Sequence, residues 1–155
     1  MHEIDKDDMY QSIWDFPENI IDAIKLSENI ALKNEYLDVN NIIIAGMGGS
    51  AIGGDVVYSL IKNEIKIPFV VNRGYDLPAW ANSSTLIICS SYSGNTEETI
   101  SILEEAKSLG SKVIGITTGG VLESLCKDYN FDFVGIPSGL QPRAALAFSF
   151  IPLLY

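Results

Sequence analysis

The stretch SSYSGNTEETI, Ser90 to Ile100, follows an apolar run and gathers Ser91, Ser93 and Thr96 around Gly94 and Asn95, just ahead of acids at helical spacing. Hydroxyls, a glycine and the first N–H groups of a helix together make an anion cradle, because those N–H groups carry partial positive charge and have no partner inside the helix. Such a cradle needs no lysine. A second glycine-rich loop, GMGGSAIGGD from Gly46 to Asp55, also lies between an apolar run and a helical segment. Its Gly46, Gly48 and Ala51 meet the G-x-G-x-x-[GA] spacing of a dinucleotide turn. A dinucleotide reader also needs an acid at the end of its second strand for the ribose hydroxyls. Here VVNRGYD offers Asn72 and Arg73, which leaves only an NADP version. Glycines at 46, 48, 49, 53 and 54 equally suit a tight strand-to-helix turn with no ligand.

Both loops have to be presented by strands, and the chain supplies them. NIIIAG, IPFVVNRG, STLIICSS, SKVIGITT and FDFVGIPS are short apolar runs that alternate with the helical patterns AIGGDVVYSLIK, NTEETISILEEAKSLG and VLESLCKD. The alternation predicts an α/β fold, a flavodoxin-like three-layer sandwich around a five-stranded parallel sheet. In the order 2-1-3-4-5, strands 1 and 3 are neighbours whose helices leave on opposite faces, so a crevice opens between the two loops. A helix is expected from Asp15 to Tyr36, with Ile20, Ile21, Ile24, Leu26, Ile30 and Ala31 near a 3.6 period and Pro17 in its first turn. Thr96, Glu97 and Glu98 read as a capped, acid-rich first turn, and Gly110 as a helix stop.

The reading is of one domain over residues 1–155: an N-terminal helical segment to residue 38, a parallel core over 40–140, and a C-terminal helix over 141–155 that leads toward a second domain. After Arg143 the tail AALAFSFIPLLY carries no charge. An apolar ending tucks into a core, lies in a subunit interface or continues into further chain; a homodimer is expected on the second ground.

Ten Lys plus Arg against twenty Asp plus Glu give a formal charge of −10. That charge repels nucleic acid and anionic membrane, so neither is expected as a partner and any bound anion must be held by local donors. No stretch approaches a membrane span and MHEIDKDDMY lacks a signal-peptide pattern, which points to the cytoplasm. Cys89 and Cys126 sit singly in apolar runs and read as buried thiols. His2 is the single histidine, so neither a histidine metal site nor a catalytic triad is expected.

GMGGSAIGGD, SYSGNTEET and SGLQPRAALAFSF together resemble the sugar isomerase (SIS) domain, and more closely the N-terminal half of the bifunctional phosphoglucose/phosphomannose isomerases. The likeness runs over nearly the whole chain. It implies that Ser91, Ser93 and Thr96 hold the 6-phosphate of a hexose 6-phosphate, and that Gly48, Gly49 and Ser50 contact phosphate and sugar. Arg143 matches an arginine near the reacting carbons, placed to stabilise an enediolate. The family's glutamate base, a histidine associated with ring opening and a late lysine would lie beyond Tyr155, and His2 cannot replace that histidine. No metal or organic cofactor is implied. Glu97, Glu98 and Asp55 are near the loops but fall early in helices, where acids are common for dipole reasons. The alternatives are a non-catalytic sugar-phosphate sensor and an NADP-binding Rossmann domain.

Overall fold

The computed structural model describes residues 5, 6 and 8–155, so His2 lies outside the described residues. Its elements are α1 (Met9–Trp14), α2 (Phe16–Ser27), β1 (Asn41–Gly46), α3 (Gly48–Ile61), β2 (Phe69–Asn72), β3 (Thr85–Ser90), α4 (Glu97–Ser108), β4 (Lys112–Thr117), α5 (Gly120–Asp128), β5 (Asp132–Gly135) and α6 (Leu146–Phe150), followed by a 3-10 turn over Ile151–Leu153. The sheet runs β2-β1-β3-β4-β5, and every neighbouring pair is parallel. Alternate residues feed opposite faces. Ile43, Ile87, Cys89 and Val113 pack with Ile102, Leu103 and Ala106 of α4 and with Leu122 and Cys126 of α5. Ile114, Ile116 and Val134 pack with Ala23 of α2 and with Ala147 and Phe148 of α6. Helix α3 joins that second face, where Gly54 lies against Ile44 and Val71. The expected three-layer arrangement is therefore present, with the helices after β1 and β3 on opposite sides.

Glycines 53 and 54 follow the helical pattern AIGGDVVYSLIK and not the turn that their residue type also suited. Both sit inside α3. A Cβ on Gly53 would come within 2.8 Å of Ser149 Cβ, so this glycine lets α3 and α6 approach closely. Gly110 does stop α4: its φ is +68°, its N–H donates to Lys107 O and the next N–H donates to Ala106 O, a Schellman ending.

The first helix is shorter than its periodicity suggested, and α1 was not foreseen as separate. Helix α2 ends at Ser27, where Asn29 Nδ2 takes the carbonyl of Lys25 at 2.7 Å. Ile30 still packs on the second face, but from irregular chain, while Ile21 and Ala31 are exposed. The cause is Asp132. This buried carboxylate opens β5 and accepts the N–H groups of Lys33 (2.8 Å) and Asn34 (2.9 Å), Asn34 Nδ2 (3.0 Å) and the Tyr36 hydroxyl (2.7 Å). A continuing helix would spend the N–H groups of residues 33 and 34 on its own carbonyls.

The uncharged tail tucks inward instead of forming one helix. Ala144, Ala145, Ala147, Phe148, Ser149, Ile151 and Pro152 are buried, with α6 against α3 and α2, and only Leu154 and Tyr155 are exposed. The tail therefore gives no ground for the expected homodimer.

Asp132 also sets an acid limit. Burial pushes its carboxyl pKa up, but the hydrogen bonds from Lys33, Asn34 and Tyr36 more than offset this and hold it below its ordinary 3.8. A depressed folded-state pKa contributes stability above the unfolded value that is lost as pH falls through the folded one. Urea unfolding at pH 7 and pH 3 should thus show Asp132→Asn less stable by about 1–3 kcal/mol at pH 7, and the gap narrowing at pH 3. An unchanged gap would contradict the assignment.

Candidate functional site

The β1–β3 register places Gly46 opposite Ser90, the last residue of each strand, so both loops start side by side. Contact is tight: a Cβ on Gly46 would lie 2.9 Å from Ser90 O and 3.2 Å from Ser50 Cβ. From there α3 turns to one face and α4 to the other, so the two helices begin from the ends of adjacent strands.

In the loop after β3, Ser91 is buried and its Oγ is 2.8 Å from Thr96 Oγ1. The Thr96 hydroxyl is thereby engaged across the loop and makes no cap hydrogen bond, contrary to the capped turn expected from sequence. Ser91 Oγ also accepts the Gly94 N–H at 3.1 Å. Ser93 is exposed, and its Oγ accepts the Asn95 N–H at 3.2 Å. Gly94 is obligatory: its φ is +71°, and a Cβ there would lie 1.8 Å from Gly119 O. The structure thus brings the three predicted hydroxyls into one turn.

The loop after β1 carries Gly48 exposed, Gly49 half-buried and Ser50 buried at the start of α3. Gly49 meets the segment that bears Arg143. A Cβ on Gly49 would stand 3.1 Å from Pro142 O and 3.9 Å from Arg143 Cα. Arg143 itself is exposed and forms no ion pair among the described residues. The backbone geometry therefore brings the segment that carries Arg143 to the glycine loop.

Several supports were not read from sequence. Asn95 Oδ1 accepts the Val121 N–H at 3.1 Å, and Leu122 N–H donates to Gly94 O at 2.9 Å, tying the hydroxyl loop to the start of α5. Thr118 donates to Tyr92 O through both its N–H (3.1 Å) and its hydroxyl (2.7 Å). The Tyr92 hydroxyl in turn accepts the Leu140 N–H at 2.9 Å. Alternation within Ser91-Tyr92-Ser93 hinted that Tyr92 faces away from the flanking hydroxyls, but nothing local named its partner.

The other candidates are engaged elsewhere. Arg73 pairs with Asp55 at the surface, so each of these two candidates has a partner on the protein itself. Glu97 lies 3.5 Å from the Tyr75 hydroxyl, and Glu98 and then Glu97 help raise that exposed phenol's pKa. Burial pushes the Cys89 thiol far up and the Cys126 thiol to about 11, so both are protonated at neutral pH. Among the described residues no cluster of metal-ligating side chains occurs, and no helix is long and apolar enough to cross a membrane. A cavity of about 590 Å³ opens on the α2 face, floored by Leu86, Ile88, Ile114 and Val134. Its apolar floor does not suit a phosphate, and it is separate from the two loops.

Comparison with known proteins agrees with this geometry. The family model described as SIS domain matches residues 35–133. A bifunctional phosphoglucose/phosphomannose isomerase from Caldicellulosiruptor bescii is 50% identical over 146 residues, which is 94% of this chain and 43% of that protein. The chain spans less than half the length of the curated relatives it matches. Among solved structures, tagatose-6-phosphate ketose/aldose isomerase from Escherichia coli superposes with a TM-score of 0.71 at 20% identity, over 93% of this chain and 45% of that one. The Vibrio vulnificus NanR protein complexed with ManNAc-6P gives 0.65 at 18% identity, over 95% and 61%. Crossover order, paired loops and matched span agree, and the chain belongs to the SIS domain family.

Proposed function

We infer that this chain is the sugar-phosphate-binding half of an aldose–ketose isomerase that interconverts glucose 6-phosphate or mannose 6-phosphate with fructose 6-phosphate. The observation that carries the reading is the convergence of Ser91, Ser93 and Thr96 in one turn beside Gly48, Gly49 and Ser50, with Arg143 set against Gly49. The likeness to the Caldicellulosiruptor bescii isomerase supports the choice of reaction.

In that reaction a base removes the C2 proton of the open-chain aldose, and the electron pair forms a C1–C2 double bond as the carbonyl oxygen takes up negative charge. Return of the proton to C1, with the O2 hydroxyl proton passing to O1, gives the ketose. The hydroxyl loop holds the 6-phosphate equally well before and during this step, whereas a cation near C1 and C2 gains contact only as the enediolate forms. Arg143 takes that role here. The family resemblance puts the base in the part of the enzyme outside this chain; within the chain, Asp55 is paired with Arg73, and Glu97 and Glu98 lie in the first turn of α4 beside Tyr75. A cytoplasmic location fits a substrate whose phosphate charge keeps it from crossing a bilayer. A homodimer is a separate proposal, supported by the exposed Tyr10, Ile13 and Trp14 of α1. Sedimentation at twice 16.9 kDa would bear it out.

The second reading is a sugar-phosphate sensor, favoured by the fold's likeness to the NanR protein. Turnover separates the two. Calorimetry should show that the 155 residues bind glucose 6-phosphate or fructose 6-phosphate more tightly than NADPH, and a coupled assay should show negligible isomerisation by them. The complete gene product should turn over. Dinucleotide binding without sugar-phosphate binding would refute the cradle, and binding without turnover by the complete product would favour the sensor.

Within the complete enzyme, Ser93→Ala should raise KM about tenfold with little change in kcat, since it removes one hydrogen bond to a charged group. Arg143→Ala should lower kcat about 10²-fold with KM little changed. Steady-state kinetics of both variants check this; a pure KM effect at Arg143 would remove it from the chemistry.

A further inference from the structure

We propose that Tyr92 is a positioning residue that holds Arg143 at the reacting carbons and links its placement to the phosphate loop. The inference rests on the isomerase reading above. Tyr92 stands between two candidate phosphate ligands, Ser91 and Ser93, yet its side chain reaches the opposite way, into the cluster with Ile114, Ile116 and Val134. Its backbone is fixed by Thr118, whose N–H and hydroxyl both donate to Tyr92 O.

From that anchored position its hydroxyl accepts the Leu140 N–H at 2.9 Å. Among the described residues this is the single hydrogen bond that ties the stretch from Pro137 to Leu140 to the rest of the protein. Downstream, Gln141 O accepts the N–H groups of Ala144 (2.8 Å) and Ala145 (3.1 Å), closing a turn with Arg143 inside it. That turn therefore hangs between the buried start of α6 and the Tyr92 hydroxyl, and rests its Pro142 carbonyl on Gly49. Gly139, at φ +98°, adds no stiffness of its own. Without the phenolic oxygen the Leu140 N–H loses its partner and the approach to Arg143 is held by packing alone. An arginine displaced by about 1 Å meets the enediolate poorly while the phosphate is still gripped, and such a displacement costs up to about 10²-fold in rate.

The test is Tyr92→Phe in the complete gene product, which deletes one oxygen and keeps the ring in its cluster. We expect kcat to fall about tenfold with KM within about twofold of the original, and Tyr92→Phe to add almost nothing in an Arg143→Ala background. A wild-type kcat, a rise confined to KM, or effects that multiply across the two sites would overturn the proposal, because a merely structural tyrosine lowers both enzymes alike. Arg143 Nε–H and Leu140 amide resonances are read in parallel. Tyr92→Phe should speed exchange at Leu140 and collapse the sugar-phosphate-induced shift at Arg143. Unchanged signals overturn the link even if the wild-type product shows no isomerase activity, an outcome that by itself sinks only the isomerase reading.

Discussion

The parallel pairing of β1 with β3 is the constraint from which the site follows. Both strands are apolar on both faces, as Ile43 and Ile44 in β1 and Ile87 and Ile88 in β3 make plain, so only central positions bury them. Alternation of polar and apolar residues cannot fix the register of such strands, since a slip of one residue exchanges one apolar face for another. Close steric fits do it instead. Gly46 lies against Ser90 O, where a side chain has no room, and Gly115 in β4 makes space for Cys126 Sγ. With that register set, the ends of β1 and β3 coincide and their loops diverge from one point.

Much of this was legible in the sequence because parallel α/β topology is written in long-range alternation. Apolar runs of strand length between helical patterns imply right-handed crossovers, and right-handedness leaves few strand orders. The hydroxyl and glycine loops were legible for the same reason, each standing where a strand hands over to a helix. What failed was whatever depended on a distant partner. The 3.6 period runs on past Ser27 because Ile30 packs on the same face as α2, although the chain carrying it is irregular and leads to Asp132. Nothing near residues 33 and 34 announces a buried carboxylate almost a hundred positions away. The uncharged tail was ambiguous in a different way, since composition reports that a segment needs cover but not which surface gives it. Gly53 and Gly54 were equally open in type: a glycine pair signals close approach, and only the fold shows that Ser149, Ile44 and Val71 are what approach.

Electrostatics explains why the cradle is neutral. At a formal charge of −10 the protein repels a phosphate dianion at a distance, and screening confines that repulsion to roughly a Debye length of about 8 Å at physiological salt. Inside that range helix N–H groups and hydroxyls would hold an anion without the desolvation cost of burying a lysine. Glu97 and Glu98 also draw on the positive end of α4, so they would compete with the proposed phosphate for the same dipole. The loop eases the conflict by setting its hydroxyls ahead of the helix, on Ser91, Ser93 and Thr96, while the Glu97 carboxylate lies beside Tyr75.

The two halves of the site are built with unequal stiffness, and this suits their tasks. The hydroxyl loop is tied to the β4 end by Ser91 N–H on Ile116 O, to α5 through Gly94 and Asn95, and to the loop after β4 through Tyr92 O. Such a scaffold keeps its hydroxyls in place without a ligand, so little ordering cost would fall on binding the proposed anion. The arginine segment is tied far less, and its tether runs back to the hydroxyl loop itself. On the isomerase reading proposed above, a cation that follows charge from a carbonyl oxygen to an enediolate would gain from being referenced to the phosphate, because the phosphate does not take part in the bond changes. On that reading, fixing the arginine to the loop proposed to hold the phosphate would convert two independent positional errors into one.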